Sequence, residues 1–199
     1  MGRPTIYYVR HGETDWNRAG RLQGALDIPL NALGRWQAAQ AGCILGELIA
    51  AKGAGKESLA FVASPLGRAR ATMELVREEL DMPPADYCLD DRLREIGYGT
   101  WEGRTLVESE AADPEVFARR QLSKWTVSAP GGETYLSVQL RMRDWYDSVH
   151  LDTVAVAHGG TARALMVSLG LERPEKAADL YIEQGVVYVF DDGRVKKYG

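Results

Sequence analysis

Histidine and cysteine are both scarce in this chain of 199 residues, with three of the former and two of the latter. Cys43 and Cys88 form no CxxC pair, so neither a thiol metal site nor a disulfide framework is expected, and reduced thiols fit a cytoplasmic setting. Three scattered histidines give metal catalysis no support. A basic excess is also missing. The 24 Lys and Arg against 28 Asp and Glu leave a formal charge of −4, which weighs against a broad nucleic-acid-binding face. No uncharged apolar run approaches the roughly eighteen residues that would cross a bilayer. The opening Met1-Gly2-Arg3-Pro4-Thr5-Ile6 has no signal-peptide core, and repeats are absent. What remains is 45% hydrophobic and 26% charged, the composition of a packed globular chain. A chain of this size buries about 70% of its unfolded surface without staples, so one domain over 1–199 is expected.

Short apolar runs at Thr5–Val9, Leu59–Ala63 and Thr153–Ala157 read as strands covered on both faces, the pattern of a parallel sheet. Helical stretches follow each. Asn31 is a plausible N-cap, after which Trp36, Cys43, Ile44 and Leu48 recur at a helical period to about Ala51. Ser64-Pro65 resembles an N-cap with proline in the first turn, followed by an apolar face of Ala69, Met73, Val76 and Leu80. Val138, Met142, Trp145 and Val149 mark another helix from about Thr134. Near the end, Val186–Phe190 and Val195–Tyr198 flank a turn at Asp191-Asp192-Gly193-Arg194 that closes a sheet edge. These elements predict an α/β fold: a three-layer α/β/α sandwich on a mostly parallel sheet with a C-terminal edge hairpin. The glycine- and proline-punctuated stretch at about 97–132 reads as an insertion covering the sheet rather than a second domain.

Arg10-His11-Gly12-Glu13-Thr14 follows the first strand, Ser64-Pro65-Leu66-Gly67-Arg68 the second, and His158-Gly159-Gly160 the last long one. Ligands of open α/β sheets sit beyond the carboxyl ends of the strands, so these segments should share a crevice. Two arginines there match a phosphate ester bidentately. Helix N-termini after Ser64 and Gly160 would add N–H donors, with Gly159 and Gly160 letting the main chain approach. A neutral imidazole is a competent nucleophile when its other nitrogen is held as a donor, and a backbone carbonyl could hold His11 in that way. Trp101, six residues beyond Glu95, is a candidate pocket wall. His150 reads as surface decoration.

RHGET with Asn17 beyond it, GRLQG, SPLGRARAT, LREIGYGTWEG, PGGET and AHGG together resemble the histidine phosphatase superfamily, in its phosphoglycerate-mutase-like branch. The matches run in order from Arg10 to Gly160, about three quarters of the chain. The resemblance implies that His11 is the phosphorylated nucleophile, that Arg10, Arg68 and His158 clamp the phosphoryl oxygens, and that Glu95 donates and accepts the proton. It also implies that Asn17 faces the phosphate, that Gln23 and Gly24 line the substrate pocket, and that Thr14 and Gly159 border the substrate. Ala157 and Thr134 stand where serine is common, which loosens the expected orientation of His158.

Taken singly, each charged residue reads as solvated surface; their joint placement at strand ends favours a site. Lys52-Gly53-Ala54-Gly55-Lys56-Glu57-Ser58 lacks both the first glycine and the hydroxyl of a nucleotide loop, and the Cys88 to Arg94 segment carries two aspartates unsuited to a phosphate cradle. The segment Gly97-Tyr98-Gly99-Thr100-Trp101-Glu102-Gly103 resembles phosphatase-type members. The expectation is therefore phosphomonoester hydrolysis of a small phosphorylated metabolite, without cofactor, metal, nucleic acid or membrane, and with self-association left open. Mutase-type phosphoryl transfer is the alternative, and a non-catalytic phospholigand sensor a weaker one.

Overall fold

In the computed structural model residues 3–53 and 55–199 are described. Met1, Gly2 and Ala54, from the amino-terminal stretch and the rejected nucleotide-loop motif, lie outside the described residues. The chain runs β1 (Ile6–Arg10), α1 (Asp15–Arg18), α2 (Ala32–Lys52), β2 (Ala60–Ala63), α3 (Gly67–Glu79), β3 (Cys88–Leu89), α4 (Leu106–Ala112), α5 (Pro114–Leu122), α6 (Tyr135–Asp147), β4 (Thr153–Ala157), α7 (Gly159–Ser168), α8 (Pro174–Ala177), β5 (Val187–Asp191) and β6 (Arg194–Tyr198). One sheet has the order β3-β2-β4-β1-β5-β6, with β1 to β4 parallel to one another and β5 and β6 antiparallel. The fold is the expected α/β type, mostly parallel with a C-terminal hairpin.

Alternation along β1 builds the layers. Tyr7 and Val9 face one apolar cluster with Leu45 and Ile49 of α2 and Met73 and Val76 of α3; Ile6 and Tyr8 face the other with Met142 of α6 and Leu165 of α7. The hairpin turns through Asp192 (φ 45°) and Gly193 (φ 67°), the two consecutive left-handed residues that a tight two-residue turn demands. Lysines and arginine on exposed β6 discourage pairing with another edge. Among the described residues no helix is long and apolar enough to cross a membrane.

Two helix expectations need correction. Asn31 caps α2 as expected, accepting from Gly34 N at 2.8 Å, but the buried face is Gly34, Ala38, Ala41, Gly42, Leu45 and Ile49. Trp36 and Cys43 point to solvent, and Ile44 and Leu48 only flank the core. Small residues win that face because α3 comes so close that a Cβ on Gly42 would lie 2.7 Å from Glu79 Cβ. Helix α3 starts at Gly67, not directly after Ser64, and its first N–H donates to Asp27 Oδ2 at 3.0 Å. The stretch 97–132 holds a 3-10 turn at Gly99–Trp101 followed by α4 and α5, and no strand.

Candidate active site

Parallel register brings the three motifs together. His11 N donates to Ala157 O at 2.9 Å and Ser64 N to Val156 O at 2.9 Å, so β1, β4 and β2 end at one level. The rings of His11 and His158 lie 5.1 Å apart, centre to centre. His11 is only 2% exposed. Gly12, following it, packs so tightly on α2 that a Cβ would meet Gly34 O at 2.0 Å. Its N–H donates to Thr72 Oγ1 at 3.1 Å, and Thr72 in turn donates to Arg68 O at 2.8 Å. These contacts fix the turn that presents the imidazole.

His11 Nδ1 lies 2.8 Å from Gly12 O. A carbonyl only accepts, so Nδ1 carries the proton and Nε2 keeps its lone pair. Burial, then Arg68 and Arg10, hold this imidazole well below the ordinary histidine range, outweighing the Gly12 bond; His11 is neutral at pH 7. Burial is also the main reason His158 is depressed, with Arg68, His11 and Arg10 adding to it.

The arginines are tethered to backbone carbonyls. Arg10 Nη1 donates to Ile182 O at 2.5 Å, while Arg68 Nη1 and Nη2 donate to Leu26 O at 2.6 Å and Gly24 O at 2.9 Å. The Nε atoms of both are buried and make no hydrogen bond within the chain. Gly24 anchors Arg68 through its carbonyl and has a φ of 54°, and a Cβ there would strike Glu102 Oε1 at 2.0 Å. That same carboxylate oxygen accepts from Ala25 N and Tyr98 N, each at 3.1 Å, joining the two loops around the site.

Ser64 is engaged elsewhere than at a helix cap: its Oγ lies 2.7 Å from His158 Nε2, with both residues fully buried. His158 N donates to Tyr8 Oη at 3.1 Å, and Tyr8 Oη donates to His158 O at 2.7 Å. The orientation that the missing serine at 157 put in question is therefore set by Ser64 and Tyr8. Thr134 likewise caps α6 through Oγ1, accepting from Ser137 N at 3.1 Å. The buried Nδ1 of His158 makes no hydrogen bond in the chain.

The expected helix N–H donors are taken by carboxylates. Gly67 N goes to Asp27, and Gly160 N donates to Glu95 Oε1 at 3.0 Å. The Glu95 carboxylate also accepts from Ile96 N at 2.9 Å and lies directly over Gly160, where a Cβ would be 2.3 Å from Oε1. Asn17 Oδ1 accepts from Thr14 N, Thr14 Oγ1 and Gln184 Nε2 at 3.1, 3.1 and 3.3 Å, which turns its amide nitrogen away from these donors. Gln184 Nε2 also donates to His11 O at 3.0 Å.

A cavity of about 130 Å³ is lined by Arg10, His11, Asn17, Gln23, Gly24, Arg68, Glu95 and Gly159. His158 and Thr14 are not among its lining residues, although the His158 ring lies beside that of His11. Trp101 is not a pocket wall. It is fully buried beneath α4 and α5, donating from Nε1 to Asp113 Oδ2 at 2.8 Å and packing on Phe117. Its neighbour in sequence, Tyr98, lines the cavity instead, together with Arg21, Leu22 and Arg163. Arg163 had a readable signal, since it follows Gly159 by four residues on a helix; Gln184 had none. His150 is exposed, as expected. A larger cavity of about 760 Å³ beside β2 and β3 is lined in part by His150 but by none of the candidate site residues. Among the described residues no cluster of three His, Cys, Asp or Glu could hold a metal ion.

Comparison with known proteins identifies the family. Residues 6–195 match the model of the histidine phosphatase superfamily (branch 1). The chain is 32% identical over 193 residues to 2,3-bisphosphoglycerate-dependent phosphoglycerate mutase 2 of Gloeobacter violaceus, covering 94% of this chain and 84% of that one. It is 35% identical over 179 residues to glucosyl-3-phosphoglycerate phosphatase of Mycobacterium tuberculosis, covering 82% and 74%. The solved structure of a mycobacterial glucosyl-3-phosphoglycerate phosphatase with VO3 superposes with a TM-score of 0.75 at 27% identity, covering 100% of this chain and 96% of the other. Relatives thus include both phosphatases and mutases, and the chain belongs to branch 1 of the histidine phosphatase superfamily, a family of phosphoryl-transfer enzymes.

Proposed function

We propose that this enzyme hydrolyses phosphomonoesters of small metabolites through a phosphohistidine on His11. The observation that carries the reading is the state of that ring: buried, neutral, protonated on Nδ1 by its bond to Gly12 O, and flanked by buried Arg68 and half-buried Arg10. Nε2 attacks phosphorus, and the bond from phosphorus to the ester oxygen breaks. Glu95 supplies the proton that the departing alkoxide needs. Arg10 and Arg68 hold the oxygens whose charge is redistributed, and His158 donates from the side. Water then attacks phosphorus, the P–N bond breaks, and Glu95 takes the water's proton as orthophosphate leaves. Asn17 supplies an amide donor, while Gln23, Gly24 and Gly159 shape the cavity wall; Thr14 acts through Asn17. The two free, exposed thiols Cys43 and Cys88 support a reducing, cytoplasmic location.

The deciding experiment screens phosphate esters with the native enzyme and with His11→Ala, measuring phosphate release and acid-labile phosphoenzyme. Release by the native protein and none by the variant is expected; equal turnover refutes the nucleophile. The same preparation given 3-phosphoglycerate with 2,3-bisphosphoglycerate separates hydrolysis from mutase transfer. Formation of 2-phosphoglycerate faster than phosphate release would assign the mutase reaction, which the Gloeobacter relative favours.

A further inference from the structure

The cavity of about 760 Å³ shares no lining residue with the one that holds His11. Leu59 and Ala60 reach it from the amino-terminal end of β2, and Leu151 and Thr153 from that of β4. His11 and His158 instead follow the carboxyl ends of β1 and β4, so the two cavities are distinct. The larger one has the size of a small-molecule site.

Arg77, in the last turn of α3, lines this cavity and is 2% exposed. Its Nε donates to Pro83 O at 2.8 Å, and its Cζ lies 4.5 Å from the centre of the Phe61 ring. These two contacts orient the guanidinium. Nη1 and Nη2 make no hydrogen bond among the described residues, yet neither is sealed off, so the fork end of the group meets the cavity. The carboxylate within reach, Asp86, is 86% exposed and stands 3.8 Å from Nη2, too far for a hydrogen bond. The other cations on the wall are committed or exposed. Arg92 is held by Asp90 and Asp144, each at 2.7 Å, Lys56 Nζ donates to Leu80 O, and His150 is exposed. Buried cations are ordinarily paired, and Arg77 leaves half of its donors without that pairing.

We propose that this cavity is a second ligand site, which takes a small amphipathic monoanion. One carboxylate engages Arg77 Nη1 and Nη2 side by side, the bidentate geometry that a guanidinium fork favours. An aromatic or branched apolar body lies against Phe61 and Trp145, which are 7% and 2% exposed. A dianion such as a phosphate ester is disfavoured, because Glu57, Asp81 and Asp86 border the same cavity and one free guanidinium does not offset them. Arg77 is already dehydrated and oriented, so little ordering is needed when the anion arrives. A hydrogen-bonded charge of this kind corresponds to about a ten- to hundredfold preference over a neutral group.

The test compares naphthalene-2-acetate with naphthalene-2-acetamide, which share one apolar body and differ in charge. Binding is read by calorimetry, and its place by the indole N–H NMR signal of Trp145. The native protein should bind the acid one to one, with a Kd at least tenfold below that of the amide and a shift of the Trp145 signal. Arg77→Met keeps the stem beside Phe61 and should bring the ratio close to one, while Arg77→Lys should retain part of it. Asp86→Asn, an exposed change that leaves the fold alone, should tighten the acid by about two- to fivefold and leave the amide unchanged. Saturating orthophosphate, a competitor for the arginine-lined His11 cavity, should not displace the acid. A native ratio near one, a ratio unchanged in Arg77→Met, an unmoved Trp145 signal or displacement by orthophosphate would overturn the proposal. Sedimentation equilibrium at the same concentrations reads the competing occupant: a dimer that excludes the acid would assign this sheet edge to a second copy of the chain and would also overturn it.

Discussion

Replacing Gly160 by alanine perturbs Glu95, the proposed proton donor, with one methyl group. Gly160 is in the first turn of α7 at ordinary helical dihedrals, so alanine brings no backbone strain and gains about 1 kcal/mol of helix propensity. The new Cβ would stand 2.3 Å from Glu95 Oε1 and 2.8 Å from Ile96 Cγ2. Restoring ordinary contact requires the carboxylate to retreat by roughly 1 Å, because non-bonded heavy atoms settle near 3.5 Å. Overpacking of this kind costs about 1–3 kcal/mol, partly offset by the propensity gain, so stability should fall by no more than about 2 kcal/mol. Activity should suffer more. A misplacement of about 1 Å lowers rate on the order of 10²-fold, or about 2.7 kcal/mol of barrier. The assay is stopped-flow phosphorylation with an alkyl phosphate and with 2,4-dinitrophenyl phosphate, whose leaving group needs no proton. The alkyl ester should show the full loss and the activated ester a much smaller one. Native-like rates on the alkyl ester, or equal losses on both, would refute the placement of Glu95 as proton donor over Gly160.

Three further outcomes follow from the site. Ser64→Ala removes the group holding His158 Nε2 and should lower kcat by ten- to a hundredfold, with Ser64→Thr recovering part of it; a loss under threefold removes Ser64 from any positioning role. Trp101→Phe should destabilise the protein by about 1–3 kcal/mol, since Asp113 loses its donor, with KM changing less than twofold; a large KM effect would return Trp101 to the pocket. His11 and His158 are held neutral when folded but take protons near pH 6.5 when unfolded, so the unfolded chain binds more protons as pH falls. Stability should therefore drop below about pH 6.5, by up to about 1.4 kcal/mol per pH unit for each ring, and urea midpoints that stay flat from pH 7.5 to 5.5 would contradict this.

The centre of the sheet was legible because β1 and β4 are buried and read as unbroken apolar runs, Thr153–Ala157 matching β4 residue for residue, whereas the two exposed residues of β3 carried no such signal. The ends of those runs placed His11, Arg68 and His158 near one another without any tertiary information. Helix α2 was misread because hydrophobic periodicity picks out large side chains, whereas close contact with α3 selected Gly and Ala and left Trp36 outside. Trp101 was misread for a related reason. Sequence distance from Glu95 is blind to direction, and the ring turned toward Asp113 while Tyr98 turned toward the cavity. Ser64 looked like a cap because a serine before proline usually is one, but a buried imidazole competed for its hydroxyl. Gln184 carried no local pattern at all, since its role depends on a loop brought in from 173 residues away.

That distant loop has a consequence for biosynthesis. The carbonyl of Ile182 restrains Arg10 and the amide of Gln184 restrains His11 and Asn17, while β1 must be flanked by β4 and β5, made much later. A growing polypeptide still on the ribosome would carry His11, the proposed nucleophile, well before the partners that orient it, which lie about 170 residues further along. Phosphoryl chemistry should switch on late and abruptly, and the slow step should be docking of the first strand between two latecomers.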